Sequence, residues 1–153
     1  MPAYLPNVWI KNIRGTCYTY ALDIETNDRF YVGDLALGKR VNTKVSSSEL
    51  IRLLLVELAA IGMEPVEVRK EQELSSGKWR ICVSRTFEES GYYHFYRLDT
   101  NGYWSHKRPD ELPTQYGKTG KMIKDIEVEV DNNYNVISYI DVSKARINGF
   151  CPK

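Results

Sequence analysis

The stretch Tyr93–Lys107, YHFYRLDTNGYWSHK, constrains the fold more than any other. Two runs alternate aromatic and polar residues about a glycine-containing turn, the pattern of a β-hairpin. Both histidines of the chain, His94 and His106, fall inside it. Register decides whether they share a face, because a one-residue slip flips every side chain. Asn101-Gly102 as a two-residue type I′ turn pairs Arg97 with His106 and separates the histidines. Asp99-Thr100-Asn101-Gly102 as a type I turn closed by an αL glycine pairs Tyr96 with His106 instead. His94 then lies diagonal to His106 on one face, roughly 7–8 Å away and within reach of a second imidazole. We favour this second register because it lets one histidine orient the other.

The periodicity upstream is helical. Thr16 precedes Cys17-Tyr18-Thr19-Tyr20-Ala21-Leu22 as an N-cap, with Gly15 allowing a sharp turn before it. A short helix from about Cys17 to about Ile24 is expected, with Cys17 in its first turn. Ser46 and Glu49 stand at capping-box spacing before the run ELIRLLLVELAAIGM, which predicts the main helix, stopped near Gly62. After it the pattern alternates. Glu64–Arg69, Trp79–Arg85, Gly91–Asp99, Tyr103–Lys107 and Val136–Val142 read as strands, and Met122–Asp131 as a further one. Phe30–Val32 is at most a short strand in a polar loop, and Met1–Gly15 an irregular arm pinned by Trp9 and Ile10. Helices first and an antiparallel sheet after them give an α+β class in one domain spanning 1–153. A chain of 153 residues suits a single core.

Charge excludes some functions. With 21 basic and 20 acidic residues the net charge is +1, so no basic stripe points to nucleic acid or an anionic membrane. No apolar run reaches membrane length and no secretory leader is evident, so a cytoplasmic site of synthesis is expected. The three cysteines, Cys17, Cys82 and Cys151, are odd in number and form no CxxC, which argues against a disulfide framework or a zinc knuckle. No cofactor and no metal are expected.

Cys17 and the two histidines suggest thiol chemistry. A thiolate is the nucleophile, and a helix start or a nearby imidazolium lowers its pKa. His94 is then the base, His106 the residue that fixes its tautomer, and the Cys17 N–H an oxyanion donor. Cysteine more often serves as a small buried hydrophobe, and Cys82 and Cys151 receive no role.

The island GTCYTYAL resembles the start of the Cys helix in NlpC/P60-type cysteine peptidases, which are papain-like. HFYRLDTNGYWSHK is similar to that family's paired histidine strands, in the same order Cys, His, His. A nearer likeness is to small bacterial and phage proteins carrying CYxYA and HxYRxDxxGxWSHK. This chain departs from the peptidase pattern at Thr16, Tyr18 and Thr19, and from the nearer one at Pro109. The resemblance implies N-terminal helices packed on an antiparallel sheet, with Cys17 as nucleophile, His94 as base and His106 as orienter. It implies a peptide or peptidoglycan-like substrate, which Tyr18, Tyr96 and Trp104 are expected to bind. Without a leader, such an enzyme would act in the cell, on a virion or after lysis. The alternative is a non-catalytic binder on the same scaffold, directed at a host protein.

Overall fold

Backbone chemistry in the computed structural model, which describes residues 1–86 and 91–146, follows the sequence pattern closely at the main helix. The arm is more regular than expected. Pro6 opens a 3-10 helix over Pro6–Asn12, and Trp9 is its buried anchor. Helix α1 spans Cys17–Ala21, with the Thr16 side chain accepting from the Thr19 N–H. Helix α2 spans Ser47–Ala60 and is capped by Ser46, whose hydroxyl accepts from the Glu49 N–H at 3.2 Å. The reciprocal half of the capping box does not form, because the Glu49 carboxylate pairs with Arg52. Gly62, at φ +76°, ends this segment in the left-handed conformation.

Five strands follow among the described residues: β1 Val66–Val68, β2 Trp79–Thr86, β3 Tyr93–Leu98, β4 Trp104–Ser105 and β5 Tyr134–Val142. They form one antiparallel sheet in the order β1-β5-β2-β3-β4. The hairpin adopts the three-residue-loop register. Arg97 opposes Ser105, the Asp99 N–H donates to the Tyr103 carbonyl at 3.0 Å, and Gly102 sits at φ +85°.

Both faces of the sheet are covered. Leu50, Leu54 and Leu58 of α2 and Tyr18 and Ala21 of α1 pack with Ile81, Val83, Phe95, Ile140 and Val142. Cys82, Tyr96 and Tyr139 face the other way, under Trp104, Ile123, Ile126 and Val130. This explains why β2 is buried nearly throughout rather than on alternate residues. The expected strand over Met122–Asp131 is corrected by this second layer. Only residues near Met122 and Ile123 make bridges, and Ile126–Glu129 is a helical turn, α3. Asp125 caps α3 by accepting from the Glu127 N–H, which draws the chain out of extended conformation. Ile126 and Val130 are buried while Val128 is exposed, so the helical period prevails. Phe30–Val32 forms no strand. The expected role-free Cys151 lies outside the described residues. No helix among the described residues is long and apolar enough to cross a membrane.

Candidate functional site

The two sequence islands interlock. Arg97 of β3 is buried, and its guanidinium pairs with Asp99 at 2.8 Å and Asp23 at 3.3 Å. It also donates to the Tyr20 hydroxyl at 2.9 Å and lies over the Tyr20 ring at 4.0 Å. Ser105 completes the join by a 2.6 Å hydrogen bond to the same hydroxyl. Thus Tyr20 of CYTYA is held by Arg97 and Ser105 of the hairpin, and Asp99 fixes the Arg97 guanidinium. Sequence reasoning assigned none of these three a role, although they stand inside the motif that carried the histidines.

The histidines meet on the face opposite α1. His94 Nε2 lies 2.8 Å from His106 Nδ1, and His106 Nε2 lies 3.1 Å from the Tyr116 carbonyl oxygen. A carbonyl only accepts, so His106 carries its proton on Nε2. Its Nδ1 therefore accepts from the His94 Nε2–H, and His94 Nδ1 keeps a bare lone pair. The relay is directional: it leaves one unprotonated nitrogen at its His94 end. Burial lowers both imidazoles below the ordinary histidine range, His94 strongly, so the pair is neutral at rest.

Asp131 joins this cluster, with one ligand-type atom of each residue within 4.8 Å of the others. These are the described residues that could hold a metal. The arrangement suits a proton relay better. The 2.8 Å N–H···N bond uses the facing nitrogens of the two rings, and Arg108 occupies the Asp131 carboxylate at 2.7 Å.

Cys17 reaches the sheet from the other layer. In β3 the odd-numbered residues bond toward β4, as the Asp99–Tyr103 pair shows. Strand β4 ends at Ser105, so Phe95 has no strand partner on that side among the described residues. Its N–H instead favours the Cys17 thiolate, as do the N–H groups of Tyr18 and Cys17. The sulfur therefore sits at the free edge of β3, beside the residue that follows His94. No hydrogen bond joins Cys17 to either imidazole among the described residues.

Burial outweighs those donors and pushes the Cys17 thiol up to about 11. The expectation of a lowered thiol pKa is corrected accordingly. A helix of five residues offers a weak dipole, and neutral histidines supply no cation. Cys17 is 8% exposed and lines a cavity of about 320 Å³ together with Tyr31, Arg40, Thr43, Tyr92 and Tyr93. Neither histidine lines it.

The expected substrate-binding residues are also corrected. Tyr18 is wholly buried, with its ring 5.0 Å from Phe95 and its hydroxyl donating to Glu57 at 2.6 Å. Tyr96 is equally buried and packs against both imidazoles, 5.0 Å from His94 and 4.7 Å from His106. It buttresses the relay. Trp104 lies in the second core against Tyr139. Alternation alone could not tell a stacking surface from an interior, because this sheet has no solvent face here.

The cavity wall was missed in the sequence because it comes from the polar loop before α2. Buried Glu57 anchors that loop, accepting from the N–H groups of Gly33 and Ala36 at 2.9 Å and Leu37 at 3.3 Å. The Tyr93 hydroxyl accepts from the Val32 N–H at 3.0 Å. A glutamate in the middle of a leucine-rich helix was the available signal, since buried carboxylates need partners.

No known family model matches the chain, and no solved structure matches it. The chain is similar to insoluble matrix shell protein 1 of Ruditapes philippinarum, 34% identical over 94 residues. The match covers 61% of this chain and 55% of that relative, so the chain spans about half its length.

Proposed function

We propose that the protein is a thiol hydrolase of papain-like, NlpC/P60-like type that cleaves an amide bond. The observation that carries this reading is the directional relay Tyr116–His106–His94. It ends in an unprotonated nitrogen on the residue next to Phe95, whose N–H favours the Cys17 thiolate. Its chemistry differs from a resting ion pair. Cys17 stays a thiol and His94 neutral until attack. Because the ring leaves β3 on the face opposite α1, His94 acts as the general base through a water at the free edge of β3 rather than by direct contact with the sulfur. The sulfur then bonds to the acyl carbon, and the amine leaves with a proton returned by His94. Water releases the acyl group in the second half. Catalytic hydrogen bonds often shorten only when substrate is bound. A peptide of the peptidoglycan stem type is the substrate that the resemblance implies.

Alkylation and turnover test this together. Iodoacetamide should modify Cys17 faster than Cys82, and incubation with purified cell wall should release new amine termini. His94→Ala should abolish the release without unfolding the protein. Cys17 confirmed reactive with no new termini would end the peptidoglycan version. Equal, slow labelling of Cys17 and Cys82 would end the enzyme reading.

A second reading is a non-catalytic binding or matrix protein on the same scaffold. The raised thiol pKa and the similarity to an insoluble matrix shell protein favour it. It predicts full function after Cys17→Ala.

A further inference from the structure

Lys107 ends the motif WSHK, and its side chain is wholly buried. A buried ammonium needs partners for its three donors. Lys107 has them: Nζ donates to the carbonyls of Ile13 and Gly15, each at 2.5 Å, and of Arg108 at 3.2 Å. Two of those carbonyls belong to the turn that leads into Thr16 and Cys17. That turn is tight, because a Cβ on Gly15 would stand 2.6 Å from the Thr26 carbonyl.

Register supplies the rest. Lys107 stands where β4 would have opposed Phe95, had the strand continued past Ser105. The chain parts from β3 there, while His106 pairs with Thr114 on the far edge of β4, the edge on which Trp104 pairs with Ile123. At that gap the Phe95 N–H favours the Cys17 thiolate, and the Lys107 charge favours it too. His106 and Lys107 thus send adjacent side chains to opposite faces of one strand end, one toward the relay and one toward the thiol's turn.

We propose that Lys107 is a positioning residue for Cys17: its ammonium clamps the turn that presents the thiol at the edge of β3, and its charge favours the thiolate. The groups facing it are Cys17 from α1, Asp110 and Glu111 from its own loop, and Arg29 from the loop after α1. Burial pulls its pKa down to about 8. The charge is therefore present at neutral pH and lost within reach of experiment. This rests on the thiol being reactive, not on any substrate being cleaved, so its failure is separate from that of the hydrolase reading.

The test is iodoacetamide alkylation of the full chain between pH 6 and 10.5, with Cys17 and Cys82 followed separately by peptide mass. Lys107→Met should lower the Cys17 rate about tenfold at pH 7, the effect of one pKa unit. The deficit should shrink above about pH 8, as wild-type Lys107 loses its proton. Cys82 should be unchanged. A deficit equal at every pH would leave only packing and overturn the charge role. No deficit, in a variant with native near-ultraviolet circular dichroism, would overturn the whole proposal. Should Lys107→Met fail to fold, wild type decides alone. Its log rate for Cys17 should flatten near pH 8 before rising again, and a straight line of unit slope through that range would refute the coupling.

Discussion

Glu57→Gln isolates one buried acceptor with little change of shape. The wild-type carboxylate takes four donors: the Tyr18 hydroxyl and the N–H groups of Gly33, Ala36 and Leu37. Glutamine keeps one accepting oxygen, which can serve Tyr18 and Gly33. Its NH2 then faces the N–H groups of Ala36 and Leu37, donor against donor. Two bonds to a charged acceptor are lost, at ~1–1.5 kcal/mol each, because these amides are part-buried and recover some hydration. The expected loss is ~2–3 kcal/mol, a sizeable part of a typical domain stability of ~5–15 kcal/mol. For a chain of this size it lowers Tm by ~5–10 °C. Urea unfolding at pH 7, followed by circular dichroism, reads it as a lower midpoint at unchanged slope. Tyr18→Phe in the same background should cost less than in wild type, since the two residues share one hydrogen bond. A loss under ~0.5 kcal/mol would refute the reasoning, because the carboxylate would then not be what holds the loop.

Three further outcomes follow from other parts of the molecule. Gly102→Ala should cost ~1 kcal/mol in urea unfolding, purely from its φ of +85°, since an added Cβ meets only the Lys124 ammonium at 3.6 Å. A neutral result would mean the turn relaxes to another type. Acid should weaken the fold before the carboxylates titrate. The unfolded chain binds protons near pH 6.5 that folded His94 and His106 refuse, so stability is complete above that pH and falls below it. Urea midpoints flat from pH 7.5 to 5 would contradict the neutral relay. Asp141→Ala strands the buried Arg80, whose guanidinium it meets at 2.7 and 2.9 Å, and should cost ~3–5 kcal/mol. Arg80→Met with Asp141→Leu should recover most of that in the same assay.

Much of the fold was legible because it rests on local chemistry. Ser46 before an apolar helical run defines α2, and Asp99-Thr100-Asn101-Gly102 sets the hairpin register through a left-handed glycine. Those choices concern residues a few positions apart, so they survive without knowledge of neighbours. The meeting of His94 and His106 followed from them, since register alone put the two on one face. Where local signals competed, the tertiary contacts decided. Residues Ile126–Glu129 alternate like a strand, yet burial of Ile126 and Val130 under the sheet makes them helical.

What only the tertiary structure decided was environment. Tyr18, Tyr96 and Trp104 were expected to bind substrate until both faces of the sheet proved covered. Cys17 read as an acidified thiol from its place at a helix start, and burial made it a weak acid instead. Lys107 stood in the sequence only as the last residue of the Tyr103–Lys107 strand, and the carbonyls of the turn before α1 closed over it. A residue's position along the chain fixes its backbone and the side of the strand it leaves from. The pKa of a thiol, an imidazole or an ammonium depends on how much water remains around it, and segments distant in the chain remove that water.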